Sequence, residues 1–144
     1  MSATDEDITR HRRNEARRWL RLASEDARVA RLCLAAEPTV LASAAFHSQQ
    51  AAEKVLKGLL VLAKIRFGKT HDLDRLTALA APAYPDLRPL LEAVRPLTVW
   101  GTAFRYPSPG DVEEAAPEAP EQHAALTRID RLAEALRAAS EETR

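Results

Sequence analysis

A single cysteine, Cys33, in 144 residues leaves no second thiol for a disulfide and too few thiolates for a zinc cluster. Four glycines are all the chain has. None falls in a phosphate-cradling pattern such as GxGxxG or the P-loop, so any nucleotide must be held by side chains and helix ends. There is no apolar run of membrane-spanning length and no leader-like segment, so the expectation is a cytoplasmic protein with no membrane association. Net charge is also missing: 21 Lys plus Arg balance 21 Asp plus Glu. The chain as a whole is therefore not drawn to polyanions, and an anion site has to be local. Local asymmetry exists, because Arg10 to Arg31 and Lys54 to Lys69 are basic while Asp111 to Glu121 is acidic.

What remains is rich in Ala, Leu and Arg and poor in β-branched residues, a composition that favours helix. Its length suits one domain. Apolar residues recur at helical spacing from Ala16 through Trp19, Leu20, Ala23, Ala27 and Ala30 to Leu34, predicting a first helix that begins between Thr9 and Glu15 and ends near Ala35. A second is predicted over Thr39 to Arg66, with Gly68 placed to end it and Thr70 to cap the next. Shorter helices are expected at His71 to Ala80 and Asp86 to Val94, separated by Pro82 and Pro85. The pattern of Leu97, Val99, Trp100 and Phe104 continues to Arg105. Four prolines between Tyr106 and Pro120 predict an extended loop, and a last helix covers Glu121 to Ser140. No alternating strand pattern competes, so the fold class is an all-α, up-and-down bundle of about five helices in a single domain, 1–144, with frayed termini.

The second helix carries the most information. Ala44, Ala45, Ala51, Ala52, Val55, Leu56, Leu59, Leu62 and Ala63 form its apolar stripe, and His47, Gln50, Lys54 and Lys57 form a polar edge. Spacings of three and four bring these four side chains within reach of one ligand, and all can donate protons to an anion such as phosphate. The edge reads equally as a solvated strip or a contact with another helix. Val61 and Ile65 extend it with apolar groups, as a partner subunit or the loop after Arg105 would require. Asp26 falls beside the stripe of the first helix and needs a cation, which Lys54 or Arg105 can supply. His11 and His123 have no second ligand at helical spacing, so no metal site is expected. Cys33 reads as a buried small residue, and Trp19 and Trp100 as core anchors.

The string FHSQQAAEKVLKGLL, followed by KTHDLDRL and later by FRYP, resembles the HEPN family of small all-α domains associated with nucleotide binding. The resemblance spans Trp19 to about Tyr106. It implies an all-α bundle, a homodimer, and for stand-alone members a partnership with a nucleotidyltransferase of the MNT type in a toxin–antitoxin-like system. No cofactor is implied. On this basis His47, Gln50, Lys54, Lys57, Lys69 and Arg105 are candidate ligands for a nucleotide or for RNA phosphate, with Asp26 and Tyr106 as structural polar residues.

HEPN ribonucleases carry an Arg and a His four to six residues apart, and RFGKTH offers Arg66 and His71. By that resemblance His71 would move a proton and Arg66 would hold phosphate, without a metal. The pair departs from the family pattern, however. It bridges two early helices, whereas after Arg105 the next His is His123. The alternative to a binding protein is thus a metal-independent endoribonuclease. For Arg105 and Tyr106 a second expectation is a structural pin, Arg105 paired with an acid such as Asp26 and Tyr106 packed in the groove of the first two helices.

Overall fold

The computed structural model describes residues 4–107, 109–110 and 114–141; the expected frayed ends, Met1 to Ala3 and Glu142 to Arg144, and part of the expected proline-rich loop lie outside them. Helix α1 covers Asp5–Ala35, starting earlier than the apolar pattern predicts. The cause is a capping box. Thr4 Oγ1 accepts from the Asp7 amide at 3.1 Å, and the Asp7 carboxylate accepts from the Thr4 amide at 3.4 Å. The side-chain bond from Thr4, chiefly, holds the Asp7 carboxyl below its usual range.

Helix α2 covers Leu41–Leu62 and stops four residues short of the expected Arg66. Its end is a Schellman motif: the Lys64 amide donates to Val61 O at 3.1 Å and the Ile65 amide to Leu60 O at 2.9 Å. Lys64, with φ of 62°, occupies the left-handed position where glycine is usual. Gly68 is also left-handed but lies further along, in the connection to α3. Helix α3 covers Leu73–Ala80. Asp72, rather than Thr70, is its N-cap, accepting from the Asp74 amide, while Thr70 Oγ1 supports the Asp72 amide. A 3-10 turn at Pro85–Leu87 leads into α4, Arg88–Val94, and a second 3-10 segment, Arg95–Gly101, follows. Helix α5 covers Ala119–Glu141. The described residues contain no strand.

Two sets of cross-helix contacts fix the frame. Asp26 meets His47 and Lys54, and Trp19 meets Lys57, so α1 and α2 run antiparallel. Arg17 reaches Ser140 O and Arg31 pairs with Asp130, so α1 and α5 are also antiparallel. Gly58 lets α1 and α5 pack closely on α2: a Cβ there would lie 2.6 Å from Leu136 Cδ2 and 3.3 Å from Trp19 Cβ. The core unites Ala16, Ala23, Ala30 and Leu34 of α1 with the α2 stripe and with Leu126, Ile129, Leu132 and Leu136 of α5. Leu73, Leu76, Leu91, Val94, Leu97 and Trp100 close the remaining side. Val61 and Ile65, expected to face a partner or the loop after Arg105, are partly buried against this core, and Ile65 lies past the end of α2.

Candidate ligand-binding groove

Helix α2 is buried on far more of its circumference than its apolar stripe. Ser48, Gln49, Glu53 and Lys57 are buried along with the alanines and leucines. A polar side chain in such a place needs a partner, and the pairings divide the predicted cationic edge into two clusters. In the first, the half-buried Asp26–His47–Lys54 group, Asp26 accepts from His47 Nδ1 at 2.9 Å and from Lys54 Nζ. Lys54, not Arg105, is the cation that neutralises Asp26. In the second, Glu53, only 3% exposed, accepts from His71 Nδ1 at 2.9 Å and from Lys57 Nζ at 3.3 Å.

Lys57 is 6% exposed, with its ammonium 5.6 Å from the centroid of the Trp19 ring and 5.7 Å from that of Phe67. Its charge is taken up inside the protein. The expected continuous row His47, Gln50, Lys54, Lys57 is therefore not a row of free donors: both lysines and His47 are engaged with carboxylates. Trp19 is only partly buried and serves as one wall of the Lys57 site.

Beside the second cluster, and sharing His71 with it, lies a groove of about 410 Å³, lined by Phe46, Gln49 and Gln50 of α2, His71 and Asp72 ahead of α3, and Thr98, Gly101, Thr102 and Arg105. Of the sequence candidates, it gathers Gln50, His71 and Arg105. His47, Lys54 and Lys57 are not in its lining, nor are Lys69 and Arg66, which lie exposed in the loop between α2 and α3. Arg105 does not pin to Asp26. Its guanidinium lies 4.0 Å from the Phe46 centroid, a stacked geometry that leaves the N–H edge open. Among the described residues no carboxylate forms an ion pair with it. Tyr106, expected in the α1–α2 groove, is 64% exposed and lies 5.8 Å from the Arg105 guanidinium.

The polar floor of the groove is a relay. Gln50 Nε2 donates to Gln49 Oε1 at 2.8 Å, and Gln49 Nε2 donates to His71 O at 3.4 Å. Gly101 makes room for it, since a Cβ there would stand 3.1 Å from Gln49 Oε1. Thr98 Oγ1 accepts from the Leu73 amide at 3.2 Å, which ties the start of α3 to the second 3-10 segment and fixes the far wall. His71 is held at Nδ1 by Glu53 while its side chain stays 76% exposed, so Nε2 is the free nitrogen. Glu53, Gln49 and Phe46 escaped the sequence reading because they belong neither to the apolar stripe nor to the cationic edge. Gln49 and Glu53 are four apart on the flank between them, and that spacing was their only signal. No group of three His, Cys, Asp or Glu among the described residues can hold a metal ion, and no described helix is long and apolar enough to cross a membrane.

The class the fold defines is a small all-α domain, a helical bundle whose open groove carries an arginine over a phenyl ring, an anchored imidazole and a carboxamide floor. The chain matches the HEPN domain family over residues 16–141 and belongs to it. No curated protein and no solved structure gives a significant match.

Proposed function

We propose that the groove along α2 binds the phosphate-bearing part of a nucleotide or of RNA, with Arg105 as the anion anchor and His71 at the opposite end. The observation that carries this reading is Arg105 stacked on Phe46 with no carboxylate partner among the described residues. A guanidinium so held keeps its fork of donors for a ligand, and phosphate is the group that fork fits. The volume suits a small ligand. Calorimetric titration with ATP, AMP and a short RNA tests it. Saturable binding is expected, weakened roughly tenfold or more in Arg105→Ala, the loss of a charge-assisted contact. No heat and no thermal shift with any of the three ligands would remove this reading.

Within that reading the protein acts as a homodimeric, non-catalytic HEPN partner of an MNT-type nucleotidyltransferase in a toxin–antitoxin-like pair. Family membership supports the proposal, and co-purification from the native host tests it. A second reading, endoribonuclease, draws on the anchored and exposed imidazole of His71, the arrangement a general base requires. Arg66 is outside the groove lining of its own chain, so this reading needs Arg66 from a second copy. RNA cleavage that survives a chelator and is lost in His71→Ala would favour it.

A further inference from the structure

The orientation of the Gln50 carboxamide is fixed from below. A backbone carbonyl can only accept, so the Gln49 group facing His71 O is the NH₂, and Gln49 Oε1 must turn toward Gln50. Gln50 therefore spends one N–H on Gln49 Oε1. Its Oε1 finds no donor among the described residues, and its second N–H is likewise unspent. Gln49 is 2% exposed, so the relay cannot reverse without setting the buried Gln49 Oε1 against the His71 carbonyl oxygen, acceptor facing acceptor. Gln50 thus presents one acceptor and one donor side by side to the groove.

Position along the groove adds the second constraint. Arg105 stands over Phe46, and His71 bonds Glu53, seven residues further along α2, which is two turns or about 10 Å. Gln50 lies between them. A lone phosphate at Arg105 would leave the carboxamide and the imidazole unused, whereas a nucleotide is long enough to engage both. Thr102 and the Asp72 carboxylate, which also line the groove, favour a ligand that carries donors as well as negative charge.

We infer that the groove selects nucleotides with a 6-aminopurine or 4-aminopyrimidine base, adenine or cytosine, read by the Gln50 carboxamide while Arg105 holds the phosphate. An exocyclic amine beside a ring nitrogen is a donor next to an acceptor, the complement of a carboxamide edge and the reason glutamine pairs with adenine elsewhere. This inference rests on the phosphate-binding reading above. A keto base places an acceptor against Gln50 Oε1, and a base without the amine leaves that oxygen unpaired, which costs affinity.

The test is calorimetry with AMP, IMP and purine riboside 5′-monophosphate, which lacks the amine, on the full chain and on Gln50→Met. The wild-type protein should bind AMP about tenfold more tightly than either analogue. In Gln50→Met the three affinities should converge on that of the amine-free nucleotide. If Gln50→Met does not fold, Gln50→Ala carries the same expectation. Equal binding of all three nucleotides by the wild type, still weakened by Arg105→Ala, would overturn the base preference and leave the phosphate reading standing. A preference for AMP that persists without Gln50 would also overturn it. Absence of binding by every nucleotide would remove both.

Discussion

At the scale of single residues, the two carboxylates facing α2 differ in what they leave behind when removed. Glu53→Ala strands Lys57, a buried cation with no other acid partner among the described residues, and should cost about 3–5 kcal/mol. Asp26→Ala leaves Lys54 and His47, whose side chains are 23% and 30% exposed, free to turn to water, and should cost roughly 1–3 kcal/mol. Urea unfolding of both variants checks the order, and an equal or larger loss in Asp26→Ala would contradict the account of Lys57. Tyr84 gives a pH test. Its hydroxyl donates to Leu59 O at 2.6 Å, and burial pushes its pKa up from 10.0 to about 12. A group whose folded pKa is raised stabilises fully below the unfolded value and loses that contribution as pH rises toward the folded one. Wild type should thus exceed Tyr84→Phe in stability by about 1 kcal/mol at neutral pH. The advantage should vanish between pH 10 and 12, as read from thermal midpoints across that range.

At the scale of elements, the helices were legible in the sequence because their apolar spacing is regular, but their ends depended on signals outside that spacing. Thr4 and Asp7 extend α1 beyond the first apolar residue of its stripe. Lys64 ends α2 because the Schellman bonds form there, although Gly68 offered the cheaper left-handed residue. Replacing Lys64 by Gly should therefore stabilise the fold by about 0.5–1 kcal/mol, the left-handed strain relieved less the entropy of glycine. Gly58→Ala should do the reverse. Its gain in helix propensity is outweighed by the clash with the fully buried Leu136, for a net loss of roughly 1–2 kcal/mol. Chemical denaturation of the pair checks both signs. The site was legible only in part. Spacing identified Gln50, and the turn and loop strings pointed to His71 and Arg105. The sequence also offered Lys54 as a cation for Asp26, and Glu53 stands four residues before Lys57. What spacing could not reveal is that Lys57 would be sealed beneath Trp19 and Phe67 and His71 anchored on Glu53, since both depend on how α1 and the α2–α3 loop pack on α2.

At the scale of the whole molecule, three long helices supply a rigid frame, and the chain from α3 to Arg105 lies over one flank of α2 as the wall of the groove. With a balanced net charge, the proposed anion site rests on local arrangement and not on the charge of the chain as a whole. Binding should accordingly weaken with salt only modestly, as expected for one or two phosphate contacts rather than for a long polyanion track. The most direct measurement is amide chemical-shift mapping of the ¹⁵N-labelled protein during titration with AMP. Shifts are predicted at Phe46, Gln49, Gln50, His71, Gly101, Thr102 and Arg105, with Arg28, Arg31 and Leu32 on the α1–α5 side unmoved. Shifts confined to that α1–α5 side, or none at saturating nucleotide, would contradict the assignment of the groove.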